Sequence, residues 1–295
     1  MAGTDRVIGV IGGSGLYDVP GLEGVERVRL DTPFGAPSDE YVTGRLNGTR
    51  LVFLPRHGRG HRLMPTEVNY RANVWGMKKL GADSLLAISA VGSMREDAEP
   101  GHVLVPDQFF DRTRIRTHTF FGDGVVAHVS FADPVCAAFS EAIGNAGAAE
   151  GATVHRGGTY ICMEGPAFST RAESRIYRQW GVDVIGMTNI PEAKLAREAE
   201  LCFGTLALVT DYDCWHETED DVSVEAVLAV LKRNSDLARQ TVAELASAVG
   251  GGAERECGCG DSLRFAIMGN PAEAPAETRE RLDLLIGRYL DRDAT

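Results

Sequence analysis

Four short apolar runs, each closing on small or polar residues, constrain this chain more than any other feature: 6–11, 84–89, 182–187 and 201–209. Runs of that length between polar boundaries read as buried strands, and the stretches of helical spacing between them predict helices packed on the sheet. The expected fold class is α/β, with a central β-sheet flanked by helices. In open sheets of this kind ligands collect at the carboxyl ends of the strands, so the residues following each run are the first candidates for chemistry. The last run delivers Thr210-Asp211-Tyr212-Asp213-Cys214-Trp215. If the backbone stays extended past Thr210, Asp211 and Asp213 point to the same side and can share one ligand. Two acids on a hydrated loop are the plainer alternative.

The other strand ends offer donors for an anion. Gly12-Gly13-Ser14-Gly15 follows the first run, where glycines let the backbone turn tightly and bring its amides to a ligand. It lacks the Gly-Lys-Ser/Thr of a Walker loop and the third glycine of a dinucleotide fingerprint. Asn47-Gly48 between two alternating runs predicts a hairpin. Its second strand ends in Pro55-Arg56-His57-Gly58-Arg59-Gly60-His61-Arg62, a knot of cations and imidazoles that reads as an anion-binding cluster or as a solvated turn. Ser89-Ala90-Val91-Gly92-Ser93 presents hydroxyls and unobstructed amides at what reads as a strand end. Thr188 stands just before a helix that begins around 190–192, a position suited either to N-capping or to an anion. Further helices are predicted over 68–80, 133–146 with Asp133 as N-cap, 170–180, 222–249 and 275–290, and one continuous strand over 153–162. A polar excursion runs through Asp123-Gly124.

Composition limits the partners. With 295 residues and no linker, one domain over 1–295 is expected, with 250–295 as a C-terminal tail and helix. A formal net charge of -12 repels phosphate backbones at long range, so nucleic acid is not expected as a partner. No apolar run approaches the roughly 20 residues that cross a bilayer, and the first residues lack a secretory pattern, which predicts no membrane association and a cytoplasmic protein. Of the six cysteines, four (Cys136, Cys162, Cys202, Cys214) lie scattered in apolar company and read as small buried hydrophobes. Only Cys257-Gly258-Cys259 forms a local pair, and the tail supplies no second pair or histidines, so no metal site is expected.

Ile11-Gly-Gly-Ser-Gly15, Asp31-Thr-Pro-Phe-Gly35, Pro55-Arg-His-Gly58, Glu164-Gly-Pro166, Gly186-Met-Thr188 and Thr210-Asp-Tyr-Asp-Cys-Trp215 occur in this order over residues 6–249. Together they resemble the trimeric purine nucleoside phosphorylase family, and within it the branch that acts on 5'-methylthioadenosine. The resemblance implies a single-domain phosphorylase fold with a mixed central sheet, a homotrimer, and phosphorolysis of a 5'-modified adenine nucleoside, with inorganic phosphate as co-substrate and no cofactor. It also implies roles. Ser14, Arg56, His57, Ser89, Ala90 and Thr188 would bind phosphate. Met187 would lie by the ribose, and Phe168 and Tyr212 would contact substrate. Asp211 would donate a proton or hydrogen bond to purine N7 and Asp213 would accept from the exocyclic amine. Ser169, Val224, Val227 and Leu228 would tune specificity, and His128 would reach the 5' end from a neighbouring subunit. Gly186, where an asparagine is frequent in this branch, resembles instead a purine nucleoside phosphorylase acting on 6-oxo purines such as inosine, guanosine or methylthioinosine, and Ala167 departs from the pattern in place of an expected arginine, which leaves the substrate range open. The Cys257-Gly-Cys259 tail resembles that of archaeal-type members in which such a pair can be oxidised.

Overall fold

The computed structural model describes residues 6–13, 16, 19–216, 224–250, 255 and 257–290, the side chains of 224–229 and 231–233 excepted. Ser14 therefore lies outside the described residues, as do the side chains of Val224, Val227 and Leu228. Strands β1 (Val7–Gly12), β2 (Glu23–Val28), β3 (Tyr41–Leu46), β4 (Thr49–Pro55) and β5 (Ser84–Ser93) come first. They are followed by β6 (Val103–Val105), β7 (Gln108–Arg112), β8 (Val126–Ala127), β9 (Val154–Arg156), β10 (Thr159–Met163), β11 (Val184–Gly186), β12 (Cys202–Asp211) and β13 (Ile267–Met268). Eleven of them form one mixed sheet whose main path runs β2-β3-β4-β1-β5-β11-β10-β7, while β8 and β13 pair separately.

The sheet changes partners at β5. β1 runs parallel to its first half, from Ile8 opposite Ser84 to Ile11 opposite Ala87. Then β1 leaves, and β11 joins antiparallel only at Gly92 and Ser93. On its other edge β5 is accompanied by β12 throughout, from Cys202 opposite Ser84 to Val209 opposite Val91. Residues 88–91 thus border a gap between two departing strands, and a ligand can reach the backbone there without breaking a ladder.

Both faces of the sheet are covered, which is why its strands read as continuous apolar runs. Leu206 and Leu208 of β12 pack on one side with Ile8, Val10, Leu86 and Ile88; Ala207 and Val209 pack on the other with Ile11, Leu85 and Ala87. That is the two-residue alternation of a strand, with each fully buried aliphatic side chain contributing about 1.5–3 kcal/mol. Helices α1 (Tyr70–Lys79), α2 (Ala137–Ala149), α3 (Arg171–Gln179), α4 (Asn189–Glu198), α5 (Val224–Val249) and α6 (Ala276–Leu290) cover these faces. Leu282, Leu285, Ile286 and Tyr289 of α6 belong to the same core as β1, so the tail is built into the molecule. No helix among the described residues is long and apolar enough to cross a membrane.

The Asn47-Gly48 hairpin forms as expected, with Leu46 opposite Thr49 and positive φ at both turn residues (51° and 83°), the backbone of a type I′ turn. Three boundaries differ from the sequence expectation. The predicted 133–146 helix is α2, starting at Ala137 with Cys136, not Asp133, at the cap. The Cys136 N–H donates to Phe203 O at 2.8 Å, which holds the preceding residues against β12 and out of the helix. The strand expected over 153–162 is broken by Gly157 and Gly158, both at positive φ (78° and 105°), so β9 and β10 pair with different neighbours. Ser89–Ser93 is not a strand end: it is the second half of β5.

Candidate active site

Arg56 follows β4 directly and is pulled inward. Its Nε donates to Glu192 Oε1 at 2.5 Å and its Nη2 to Glu192 Oε2 at 2.9 Å, while Nη1 reaches Ile88 O at 2.9 Å and Nη2 reaches Ile11 O at 3.2 Å. Four of its five N–H groups are thereby engaged, and one N–H on Nη1 is left for a ligand. Arg56 ties the ends of β1 and β4 to the middle of β5, and its charge is matched by a carboxylate that exposes 0% of its side chain. The basic knot expected as one cluster is in fact divided. Arg59 pairs with Asp39 and Glu40, Arg62 donates to Ser38 O and His61 stacks on His57, while Arg56 reaches the edge of the gap at Ile88 O.

The His57 ring donates from Nδ1 to Leu63 O at 2.8 Å, because a carbonyl can only accept. Burial, and next the Arg56 charge, push its pKa down to about 4, so the ring is neutral near pH 7 and its Nε2 is an acceptor. Across the gap, Ser89 Oγ stands 3.3 Å from Thr188 Oγ1 and 3.2 Å from the Tyr160 hydroxyl. Thr188 occupies the N-cap of α4 but makes no side-chain capping bond. Of the two roles its position suggested, capping is the one it does not fill.

The carboxylates meet by a route other than the extended backbone expected for them. β12 ends at Asp211, and the chain then turns, with Asp213 at φ 53°. The Asp213 N–H donates to Asp211 Oδ1 at 2.8 Å, an Asx turn that folds the second acid back onto the first. The Thr210 hydroxyl donates to Asp211 Oδ2 at 2.6 Å. Both acids lie over Gly92, where an added Cβ would meet Asp211 Oδ1 at 2.8 Å and Asp213 Cβ at 3.3 Å. Burial pushes the Asp211 carboxyl above its ordinary range despite those two donors, and the Asp213 carboxylate adds to the rise. Burial likewise raises Asp213, which is 6% exposed.

Several other candidates gather nearby. Ser169 O accepts from Cys214 Sγ at 3.4 Å, joining the 164–170 segment to the carboxylate turn. Phe168 beside it is 45% exposed, an aromatic face not used by the core. Met187 lies against Gly165, where a Cβ would meet its Sδ at 2.6 Å. Tyr212 is committed elsewhere: its ring stacks on His216 at 4.5 Å, and its hydroxyl donates to Glu96 O at 3.3 Å. His128 is exposed beside β8, with its N–H on Ala266 O at 2.8 Å, and within one chain no described hydrogen bond joins it to the other candidates.

Three residues that the sequence reading missed organise the site. Glu192 is the counter-charge of Arg56, 136 positions away. Arg116, from the polar excursion, binds Glu164 Oε1 at 2.8 Å, Met163 O at 3.2 Å and Tyr70 OH at 3.2 Å, and also donates to Met187 O. It fastens the Met163–Glu164 segment to Met187. Tyr160 lies with its hydroxyl where a Gly186 Cβ would stand, 1.9 Å from it. Gly186 is therefore required by packing in this chain.

Comparison with known proteins identifies the family. Residues 7–247 match the model of the phosphorylase superfamily. S-methyl-5'-thioadenosine phosphorylase of Geobacter sulfurreducens is 63% identical over 287 residues, which cover 97% of this chain and 100% of that one. The crystal structure of a methylthioadenosine phosphorylase from an Antarctic soil metagenomic library superposes with a TM-score of 0.90 at 45% identity, covering 96% of this chain and 99% of that one. A mutant of adenosine/methylthioadenosine phosphorylase from Schistosoma mansoni, in complex with methylthioadenosine, gives a TM-score of 0.77 at 37% identity over 83% of this chain and 92% of that one. The chain belongs to the phosphorylase superfamily.

Proposed function

We propose that the protein catalyses phosphorolysis of 5'-methylthioadenosine to adenine and 5-methylthioribose 1-phosphate. Phosphate attacks the anomeric carbon while the C–N bond to the base breaks through an oxocarbenium-like state, so the protein must hold an anion and relieve charge on the departing purine. The observation that carries this reading is the buried pair Asp211 and Asp213, with Asp211 held toward its protonated form. A neutral Asp211 donates to purine N7, and Asp213 accepts from the exocyclic amine, a group that 6-oxo purines lack. The names of the relatives and neighbours agree with an adenine nucleoside.

Phosphate sits at the gap in β5. The hydroxyls of Ser89 and Thr188, the backbone at Ala90, the remaining Arg56 N–H and Ser14 donate to it. His57 works the other way, its neutral Nε2 accepting from a protonated phosphate oxygen. Met187 lies by the ribose and Phe168 by the base, with Ser169 beside it, and Val224, Val227 and Leu228 form the slot for the methylthio group; Tyr212, held by His216 and Glu96, supports the carboxylate turn and does not contact substrate. The enzyme acts in the cytoplasm as a homotrimer in which His128 closes the 5' end of a neighbouring site, with inorganic phosphate as co-substrate and no cofactor. The alternative, a 6-oxo purine enzyme, loses the residue that suggested it, because Tyr160 accounts for Gly186.

The test is adenine release with phosphate varied from none to saturation, in the wild type and in Asp211→Asn. Turnover strictly dependent on phosphate, and reduced by about 10²–10⁴-fold in the variant, is expected for a lost general acid. Release that proceeds equally without phosphate, or wild-type kinetics in Asp211→Asn, would defeat the reading.

A further inference from the structure

Apart from the pocket, the fold assembles a second cluster of chemically capable side chains. Cys136, Cys202, Cys257 and Cys259 come from three places in the chain, and their Sγ atoms all lie within 4.8 Å of one another. Cys136 caps α2, Cys202 opens β12, and Cys257 and Cys259 flank Gly258 at a short 3-10 helix, Gly258–Asp261. All four are free thiols, and all but the half-buried Cys257 are shut off from solvent. The tail alone offers two sulfur donors, and folding brings two of the scattered cysteines to that pair.

We propose that these four cysteines bind one zinc ion as a tetrathiolate, a structural centre that fastens the C-terminal segment to the sheet. Zn–S bonds of about 2.3 Å in a tetrahedron place the sulfurs about 3.8 Å apart. The cluster therefore needs only sub-ångström to ångström contractions, and Cys202 Sγ and Cys257 Sγ are already 3.3 Å apart. Thiolate donors select a soft or borderline cation over magnesium or calcium. Four protein ligands leave no open position, so the ion is structural and takes no part in phosphorolysis.

The surroundings fit the charge of such a centre. A divalent ion with four thiolates carries two net negative charges, and Arg255 Nη1 lies 4.0 Å from Cys202 Sγ while also donating to Asp83 O and Glu200 O. Cys136 stands at the positive end of α2, which favours its thiolate. Binding changes no oxidation state: each thiol that is protonated beforehand releases its proton to solvent, so affinity rises with pH. The consequence is mechanical, because the segment after Cys259 leads to β13, which pairs with β8, and to α6 in the core.

The experiment takes the full-length protein produced with added zinc and purified under reductant, and measures metal by elemental analysis and native mass spectrometry. One zinc per chain is expected, falling to near zero in Cys257→Ser but retained in Cys162→Ser, which changes a buried cysteine outside the cluster. Replacing zinc by cobalt should give the absorption of a tetrahedral thiolate site, a readout on the unsubstituted chain that does not depend on either variant folding. Protein with four free thiols and no stoichiometric zinc would overturn the proposal, as would a disulfide among these cysteines in protein prepared this way.

Discussion

Replacing Glu192 with glutamine tests whether the buried Arg56 clamp holds the site together. Glu192 is 0% exposed and Arg56 3%. Glutamine keeps an acceptor for one of the two N–H groups but turns an NH2 donor toward the other, now bonded at 2.9 Å. A lost charge-assisted hydrogen bond costs about 1.5–3 kcal/mol, and a guanidinium buried without a counter-charge brings the total to about 3–5 kcal/mol. The assay is urea unfolding at fixed protein concentration, with and without phosphate, reading the midpoint at unchanged slope. The paired replacement Arg56→Met with Glu192→Leu should be less destabilised than Glu192→Gln alone, because it removes both charges. A loss below about 1 kcal/mol in Glu192→Gln, or a double variant worse than either single one, would refute the clamp.

Three further outcomes follow from the described contacts. Thr188→Val removes a hydroxyl free of capping duty; it should raise the KM for phosphate by about 10–100-fold, the worth of a hydrogen bond to an anion, with kcat at saturating phosphate nearly unchanged. An unaltered phosphate KM would remove Thr188 from the site. Gly186→Ala places a methyl 1.9 Å from the Tyr160 hydroxyl and should cost about 1–3 kcal/mol as overpacking, relieved when combined with Tyr160→Phe; additive losses measured by thermal unfolding would contradict this. Burial raises the Glu198 carboxyl to about 7, above its unfolded value of about 4.3. The native state therefore holds its proton more tightly, and the stability this contributes is full below the unfolded pKa and lost as pH rises through about 7. Glu198→Gln should erase that dependence, changing the stability difference between variant and wild type by about 3 kcal/mol from pH ~4 to ~8, and parallel pH profiles would refute it.

What could be read from the chain alone was whatever short-range chemistry decides. Asn47-Gly48 needs only its own backbone preferences to make a hairpin, and Thr170 with Glu173 forms a capping box within one turn. The strand ends bearing Arg56, Thr188 and Asp211 were legible because buried runs of this length announce strands, whereas the one expected at Ser89 lies inside β5. Pairings between distant positions were not. Nothing in the neighbourhood of Arg56 marks Glu192 as its partner, and neither local pattern nor spacing joins Cys136 and Cys202 to the tail. The meaning of Gly186 depends on Tyr160, 26 positions earlier, and becomes visible only when β10 and β11 lie side by side. The Asp211–Asp213 pairing was foreseen with the wrong geometry, since a side-chain-to-backbone bond won over strand continuation.

The exchange of neighbours along β5 gives the enzyme a modular design on one rigid rod. Ser89, proposed for the attacking anion, follows the stretch beside β1, and Gly92, three residues on, lies under Asp211 and Asp213, the proposed reader of the leaving group. Between them the backbone is continuous, so their spacing is fixed by the rise of a single strand and not by a hinge or a flexible loop. On the proposed reading, a new base preference can be introduced at Asp213 or Ser169, both outside β5, while the proposed anion cradle keeps its shape.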